Sequence, residues 1–319
     1  MIMIDGFYIT KRLNDLGFSN EVIDRYEEEH RFYHTIAHLR KVLIYLEEKG
    51  SLDDELFLTA IYHDAVYDPR ADDNEEKSAL LFERDAKKSK LDSGQIQQIR
   101  RYILDTKSQS ASDKRSQVFI EADLDILNQP LGKLIEYEQQ IFKEFQFVDY
   151  TIYKLKRIEV LTSLNKDGRL NALIDYVTYR KPLIGVFCGS FNPFHKGHYN
   201  ILQKAERIFD KVIIAFGKNP DKTERTWDIP SSIKNRQLGE YSGLLTDYIE
   251  SISHEVIVIR GLRNSTDFNY EQNQYRYIQE LMPEINIVSI FCDKEFEHIS
   301  SSGIRTLEKF NKHQNYLLD

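Results

Sequence analysis

Leu183-Ile-Gly-Val-Phe-Cys188 runs into Gly189-Ser-Phe-Asn-Pro-Phe-His195-Lys-Gly-His198, and that loop into Tyr199-Asn-Ile-Leu-Gln-Lys-Ala-Glu-Arg-Ile-Phe209. The first block is short, apolar and rich in β-formers, as a buried strand is. The last places Ile201, Leu202, Ala205, Ile208 and Phe209 on one face of a helix. Between them stand two glycines, a proline and two histidines three residues apart. A strand, a tight loop and a helix start bring backbone N–H groups and the positive end of a helix dipole to one spot, which suits a phosphate. His195 and His198 add two imidazoles that can hold a proton or donate to phosphoryl oxygens.

The same alternation continues to the end of the chain. Strands are predicted at residues 183–188, 211–216, 255–260 and 285–292, and helices at 197–209, 232–240, 243–251, 267–282 and 302–310. This pattern predicts a parallel sheet with helices on both faces and ligands at the carboxyl ends of its strands. Four clusters fall at those ends. Ser190 and the two histidines follow the first strand, and Lys218 and Lys222 the second. Arg260-Gly-Leu-Arg263 and then Asp267-Phe-Asn-Tyr-Glu271 follow the third, and Ser300-Ser-Ser-Gly-Ile-Arg305 opens a helix after the fourth. Together they make an electropositive crevice in a chain of net charge −8, which suits a nucleoside triphosphate. Ser300, Ser301 and Ser302 also read as a plain helix N-cap, and Lys218 alone as a surface lysine.

Residues before this part are helix-patterned. Helices are predicted near 10–28, 34–49, 53–66, 74–89, 93–107, 115–128, 130–145 and 151–178. Tyr137, Phe142, Phe145, Tyr150 and Tyr153 read as core aromatics. Three groups carry chemistry. In Arg31-Phe-Tyr-His34-Thr-Ile-Ala-His38 two histidines four apart share a face if helical. In Tyr62-His63-Asp64-Ala-Val-Tyr67-Asp68-Pro69 an imidazole and a carboxylate end an apolar run, and Asp123 lies within Ile120-Glu-Ala-Asp-Leu-Asp-Ile-Leu127. Imidazoles with carboxylates suit Zn, Fe, Mn or Mg. Tyr179-Arg-Lys-Pro182 is a helix exit, so the boundary is placed near 181, giving domains 1–180 and 181–319.

Two domains agree with a length of 319 residues. Hydrophobic content of 41% and charged content of 29% place the chain among soluble globular proteins. No apolar run approaches the roughly 20 residues of a membrane span, and the start lacks a basic region followed by an apolar core, so no membrane contact and a cytoplasmic location are expected. The negative net charge argues against nonspecific nucleic-acid binding. Cys188 and Cys292 are expected as buried free thiols.

Gly189-Ser-Phe-Asn-Pro193, Arg260-Gly-Leu-Arg263 with Asp267-Phe-x-Tyr-Glu271, and Ile299-Ser-Ser-Ser302 resemble, in order, the signatures of pantetheine-phosphate adenylyltransferases within the nucleotidylyltransferase superfamily. The resemblance implies a Rossmann-like doubly wound sheet, Mg2+ with ATP, and transfer of an adenylyl group to 4′-phosphopantetheine, giving dephospho-CoA and pyrophosphate. It implies that Ser190 and His198 contact the reacting phosphates, that Lys222 is the catalytic lysine, and that Arg260 and Arg263 bind phosphate groups. Gly189, Phe191, Glu271, Ser300, Ser301 and Ser302 then belong to the ATP pocket, Leu244 and Leu245 to the acceptor pocket, and His195 to the catalytic loop. The family usually has Thr at His195 and an Asn-Arg pair where this chain has Ile278-Gln279. Those departures keep a second phosphate acceptor, such as nicotinamide mononucleotide, in view. A homo-oligomer stays open.

Residues 25–175 resemble the HD superfamily of metal-dependent phosphohydrolases, an all-α fold whose pattern is His, then His-Asp, then Asp. The resemblance implies a divalent metal (Mn, Fe, Zn or Mg) on His63, Asp64 and Asp123. The first ligand is open between His34 and His38, with His38 favoured and His34 then a general acid or second ligand. Glu75 or Asp68 would orient the attacking water. The chain therefore reads as a bifunctional enzyme, with a nucleotide-sensing helical domain as the alternative for its first half.

Overall fold

The computed structural model describes residues 4–218 and 229–318; Lys222 lies outside the described residues. The chain gathers into two compact units, Met1–Glu144 with Leu164–Leu173, and Phe145–Ser163 with Ile174–Asp319.

The first unit is built from helices α1 (Gly6–Leu16), α2 (Glu21–Asp24), α3 (Ile36–Glu48), α4 (Asp54–Tyr62), α5 (Asn74–Ala86), α6 (Ser93–Ser108), α7 (Lys114–Asp123) and α8 (Leu131–Glu144). Aspartates set several of the starts. Asp5, Asp53, Asp92 and Asp113 each accept a hydrogen bond from a first-turn N–H of α1, α4, α6 and α7, which satisfies a donor that has no partner inside the helix. The single helix predicted over 10–28 is broken. Gly17 ends α1 in the left-handed conformation, φ 84, which costs glycine nothing. Helix α4 is the centre of this unit, with every residue from Leu56 to Tyr62 buried. Leu39, Val42 and Leu43 of α3, Phe82 of α5, Ile103 of α6 and Phe119 of α7 join the same core. Each such side chain withdrawn from water contributes about 1.5–3 kcal/mol.

The helix predicted over 151–178 is likewise two, α9 (Tyr150–Leu164) and α10 (Asn171–Tyr179), with Gly168 at φ 81 between them.

The second unit holds a parallel sheet of β1 (Ile184–Gly189), β2 (Lys211–Gly217), β3 (Gln237–Tyr241), β4 (Ile257–Leu262) and β5 (Ile287–Phe291), in the order β3-β2-β1-β4-β5. Val186 of β1 stands opposite Ile213 of β2 and Val258 of β4. Helices α11 (Lys196–Ala205), α12 (Leu245–Glu250), α13 (Ser265–Leu281) and α14 (Ser301–Glu308) alternate with the strands. Residues 184–188 and 211–216 are buried throughout, as expected of central strands covered on both faces.

The helix predicted over 232–240 is a correction. A short 3-10 turn, Ser231–Ile233, is followed by the edge strand β3. Gln237-Leu-Gly-Glu-Tyr241 is only half-buried and carries little apolar signal. Gly239 disfavours helix and lets the Tyr248 hydroxyl approach: a Cβ there would lie 2.0 Å from it. Lys211 opens β2 fully buried, and its ammonium donates to the carbonyls of Gln146 and Val148. Burial pushes its pKa down to about 7.

Strand order reverses between β1 and β4, and in a doubly wound sheet the crevice at the carboxyl ends of that pair is where ligands bind. Cys188 and Cys292 are buried and free. Among the described residues, no helix is long and apolar enough to cross a membrane.

Candidate functional site

Gly189 ends β1 where a Cβ would meet the Phe191 ring at 2.9 Å. Phe191 has a positive φ of 40 and turns its ring into the core. It packs at 4.9 Å on Phe187 and at 4.9 Å, edge-on, on His198. It thus props the loop after β1 from below. His195 is the N-cap of α11, and the two histidines bond reciprocally. Each Nδ1 accepts the other's backbone N–H, at 3.3 and 3.4 Å, and the rings stack with centroids 3.6 Å apart. An Nδ1 that accepts bears no hydrogen, so each neutral ring has its hydrogen on Nε2. Burial, then the neighbouring His195 and the Arg263 charge, hold His198 well below its ordinary pKa. Burial, with Arg263, takes His195 down to about 4. Both rings are neutral near pH 7, so each offers an Nε2–H and no positive charge.

The arginines are already paired. Arg260 Nε and Nη2 donate to the Glu271 carboxylate at 2.5 and 2.7 Å, and Nη1 reaches Cys188 Sγ at 3.2 Å. Arg263 donates through Nε and Nη2 to Asp267, both at 2.8 Å. Such two-pronged pairs hold a guanidinium plane in one orientation. Ser300 caps α14 by accepting from the Gly303 N–H at 3.0 Å, and Ser301 Oγ donates to the Pro193 carbonyl at 3.0 Å. Arg305 donates to the Asn192 carbonyl. The serine-bearing helix start is thereby tied to the loop after β1.

A cavity of about 420 Å³ opens between these elements. It is lined by Gly189, Ser190, Phe191, His195 and His198, by Arg260, Arg263 and Glu271, and by Ser300, Ser301 and Ser302. Leu244 and Leu245 are not in its lining; Leu244 is exposed just before α12. Lys218 pairs with Glu240 at 2.9 Å. Tyr270 and Arg305 also line the cavity and went unassigned on sequence. Helical spacing marks both, since Tyr270 shares a face with Asp267, and Arg305 with Ser301 and Ser302.

A doubly wound parallel sheet with a donor-lined crevice at its switch point has the layout of a nucleotide-binding domain, and the comparisons with known proteins make it a nucleotidyltransferase. Residues 186–307 match the cytidylyltransferase-like family model. The phosphopantetheine adenylyltransferase of Mycoplasma capricolum is 38% identical over 138 residues, covering 40% of this chain and 99% of that protein. Those of Levilactobacillus brevis and Dictyoglomus turgidum are 35% and 37% identical, over 84% and 83% of their lengths and 40% and 39% of this chain. The chain belongs, through this part, to the phosphopantetheine adenylyltransferase family.

The helical unit has a second cluster, apart from that match. His38 of α3, His63 and Asp64 at the end of α4, and Asp123 at the end of α7 bring one ligand atom each within 4.8 Å of one another. His38 Nε2 lies 3.0 Å from Asp123, and His63 Nε2 3.1 Å from Asp64. His63 Nδ1 donates to the Ala60 carbonyl at 2.8 Å, which leaves the Nε2 lone pair facing the carboxylates. Both Nε2 atoms are buried and make no well-directed hydrogen bond. Two imidazole nitrogens and two carboxylate oxygens converging in a buried site fit a divalent cation. Burial opposes protonation of His63, but the charges of Asp64 and Asp123 outweigh it and hold its pKa well above the ordinary value. Burial likewise disfavours the charged form of Asp64 and Asp123, and the histidines outweigh it and hold both low.

His34 stands outside this group. Helix α3 begins only at Ile36, so His34 and His38 do not share a helical face. His34 Nδ1 instead bonds Glu144 Oε2 at 2.7 Å. Glu144, the last residue of α8, was not singled out on sequence. Its Oε1 accepts from the backbone N–H groups of Phe32, Tyr33 and His34 at 2.8, 2.7 and 3.0 Å, and its Oε2 also accepts from the Tyr67 hydroxyl at 2.7 Å. Against burial, the His34 charge and these bonds bring Glu144 down to about 2. Beside the cluster a cavity of about 390 Å³ is lined by His38 and Asp123 together with Tyr33, Lys41, Gln129 and Tyr137. Glu75 lies in the first turn of α5, where burial raises its pKa. Asp68 accepts from the Arg70 N–H at 2.9 Å.

Proposed function

We propose that the domain at residues 181–319 transfers the adenylyl group of ATP to 4′-phosphopantetheine, releasing pyrophosphate and giving dephospho-CoA. The observation that carries this reading, beside the family membership, is the His195–His198 pair standing next to Arg260 and Arg263 in one crevice. An acceptor phosphate oxygen attacks the α-phosphorus of ATP in line. The bond to the β-phosphate breaks with its electron pair leaving on pyrophosphate, so no covalent enzyme intermediate is required. His198 donates from Nε2 to a phosphoryl oxygen as that oxygen gains charge, and His195 fixes the tautomer that makes this donation available. Ser190, Arg260 and Arg263 contact the phosphate groups, and Gly189, Phe191, Glu271 and the N-terminus of α14 with Ser300, Ser301 and Ser302 belong to the ATP pocket. Lys222 adds a cation from the segment after β2. ATP enters as its Mg2+ complex.

The test is pyrophosphate release from ATP across a panel of phosphorylated acceptors. Turnover with 4′-phosphopantetheine is the expected result. Turnover with nicotinamide mononucleotide and none with phosphopantetheine would overturn the acceptor. Ile278, one of the departures from the family pattern, lines a smaller cavity of about 210 Å³ with Phe268, Tyr275 and Ile287, next to Arg260 and Glu271.

For the domain at residues 1–180 the reading is a metal-dependent phosphohydrolase of the HD type. His38, His63, Asp64 and Asp123 would hold the divalent ion. Such an ion, when bound, supplies positive charge to the phosphoryl group and acidifies a water. Purified protein that binds no divalent metal and hydrolyses no phosphomonoester or nucleotide would favour the nucleotide sensor instead.

A further inference from the structure

Adjacent residues of an α-helix point about 100° apart around its axis, so His63 and Asp64 could not reach one cation from a regular turn. The helix has to give way at this step, and it does: Tyr62 is the last residue of α4 and His63 its C-cap. A helix end leaves its last carbonyls without partners inside the helix, and this end lies in a buried core. The carbonyls there are answered one by one. The Tyr26 hydroxyl donates to that of Ile61 at 2.9 Å, and His63 Nδ1 to that of Ala60 at 2.8 Å. Past the helix the donor is Arg31. Its Nη1 donates to the carbonyls of Asp64 at 2.8 Å and His34 at 3.1 Å, and its Nη2 to that of Ala65 at 3.3 Å. The Arg31 side chain is wholly withdrawn from solvent. Its Nε donates to Glu28 at 2.9 Å, and the guanidinium packs over the rings of Tyr26 and Tyr67, 5.2 and 5.3 Å from their centroids. An ammonium has three donors and no fixed plane, so it could not serve three carbonyls and a carboxylate at once; the planar fork of arginine can.

We propose that Arg31 is a positioning residue for the cation site: it holds the turn after α4 in the shape that brings Asp64 alongside His63, and so sets the affinity and geometry of the divalent ion without touching it. The proposal rests on the reading of His38, His63, Asp64 and Asp123 as a site for a divalent cation. What the fork fixes is the backbone of Asp64, whose carboxylate stands 3.1 Å from His63 Nε2 and 3.7 Å from His38 Nε2. Without it three carbonyls lose this donor, and the turn relaxes toward a shape that finds them others. The Asp64 carboxylate moves with the turn. His63 is placed by its own bond to the Ala60 carbonyl and stays behind.

The experiment strips full-length protein of metal with a chelator and titrates it with Co2+, whose visible absorption follows the geometry of its ligands. Wild type is compared with Arg31→Gln, Arg31→Lys and Glu28→Ala, each checked for folding by circular dichroism. Expected in Arg31→Gln are a native fold, a Co2+ affinity about 10–100-fold below wild type, the usual cost of losing a group that orients a metal ligand, and a displaced absorption band. Arg31→Lys keeps the charge and loses the fork, so its affinity should fall nearly as far. Glu28→Ala alters a half-buried residue behind the guanidinium and should shift affinity and band the same way by less. It decides the matter if the Arg31 variants do not fold. Wild-type affinity and band in folded Arg31→Gln, full rescue by lysine, or, where only it folds, an unchanged Glu28→Ala would overturn the proposal. Each of these leaves the cation site standing, with Arg31 serving the fold alone. A wild type that takes up no Co2+ would overturn the cation site and the proposal together.

Discussion

The chain has two places where histidines meet, and their surroundings push them opposite ways. In the helical unit His34 and His63 face carboxylates, and their pKa values are raised despite burial. In the sheet unit His195 and His198 face each other and Arg263, and both are lowered. One arrangement collects carboxylate charge around the rings and favours positive charge there. The other removes charge from the rings and leaves each with a neutral Nε2–H. The residue type is shared, and the chemistry is decided by what stands within hydrogen-bond reach of each ring.

The largest expected effect tests the neutral-donor half of that contrast. His198→Ala should lower turnover of adenylyl transfer by about 10²–10³-fold, the range for removing one transition-state donor, with the circular dichroism spectrum unchanged. His195→Thr keeps an N-cap acceptor and should lose far less than His195→Ala, which keeps none. Equal losses in the two would break the argument that a side-chain cap at position 195 holds the loop in place.

The cation half comes next. Asp123→Asn or His38→Ala should abolish binding of a divalent metal by elemental analysis. In wild type a metal at 100-fold over its Kd should raise unfolding stability by about 2.7 kcal/mol. A thermal shift that persists in Asp123→Asn would move the metal elsewhere.

A pH series separates the two regions without mutation. His195 binds protons more readily unfolded, near pH 6.5, than folded, near 4. Acidification through that window therefore costs the sheet unit stability. Glu144 has a folded pKa of about 2, so the stability it contributes is present above its ordinary value near 4.3 and is lost only as pH falls toward 2. The raised His34 contributes fully below about 6.5 and is lost as pH rises through its folded value. Hydrogen exchange should then show residues 184–189 losing protection between pH 6.5 and 4 while residues 56–62 keep theirs. The smallest effect is local. Ser300→Ala should cost about 1 kcal/mol in denaturant unfolding through loss of the α14 cap.

The two sites were not equally legible in the sequence. The sheet-unit loop is contiguous, so two glycines and two histidines within ten residues announce it directly after a strand. Edge strand β3 hid because half-burial leaves no apolar run, and the breaks at Gly17 and Gly168 lay inside patterns that continue on either side. The four residues of the cluster come from three separate helix ends, and only a family pattern joined them. The spacing of His34 and His38 suggested one helical face, but α3 starts between them and sends the two rings to different partners. Glu144 had one sign of its own. A carboxylate at the last position of a helix opposes the helix dipole and needs a reason to be there.

The backbone passes from one compact unit to the other three times, after Glu144, Ser163 and Leu173. The carbonyls of Gln146 and Val148, which Lys211 holds from inside β2, lie just beyond the first of those passages. A fragment that began at the helix exit near 181 would strand that lysine in an apolar interior with neither acceptor. A single cut in the chain therefore yields no clean half, and subcloning either unit calls for a split design that keeps residues 145–163 and 174–179 with the sheet.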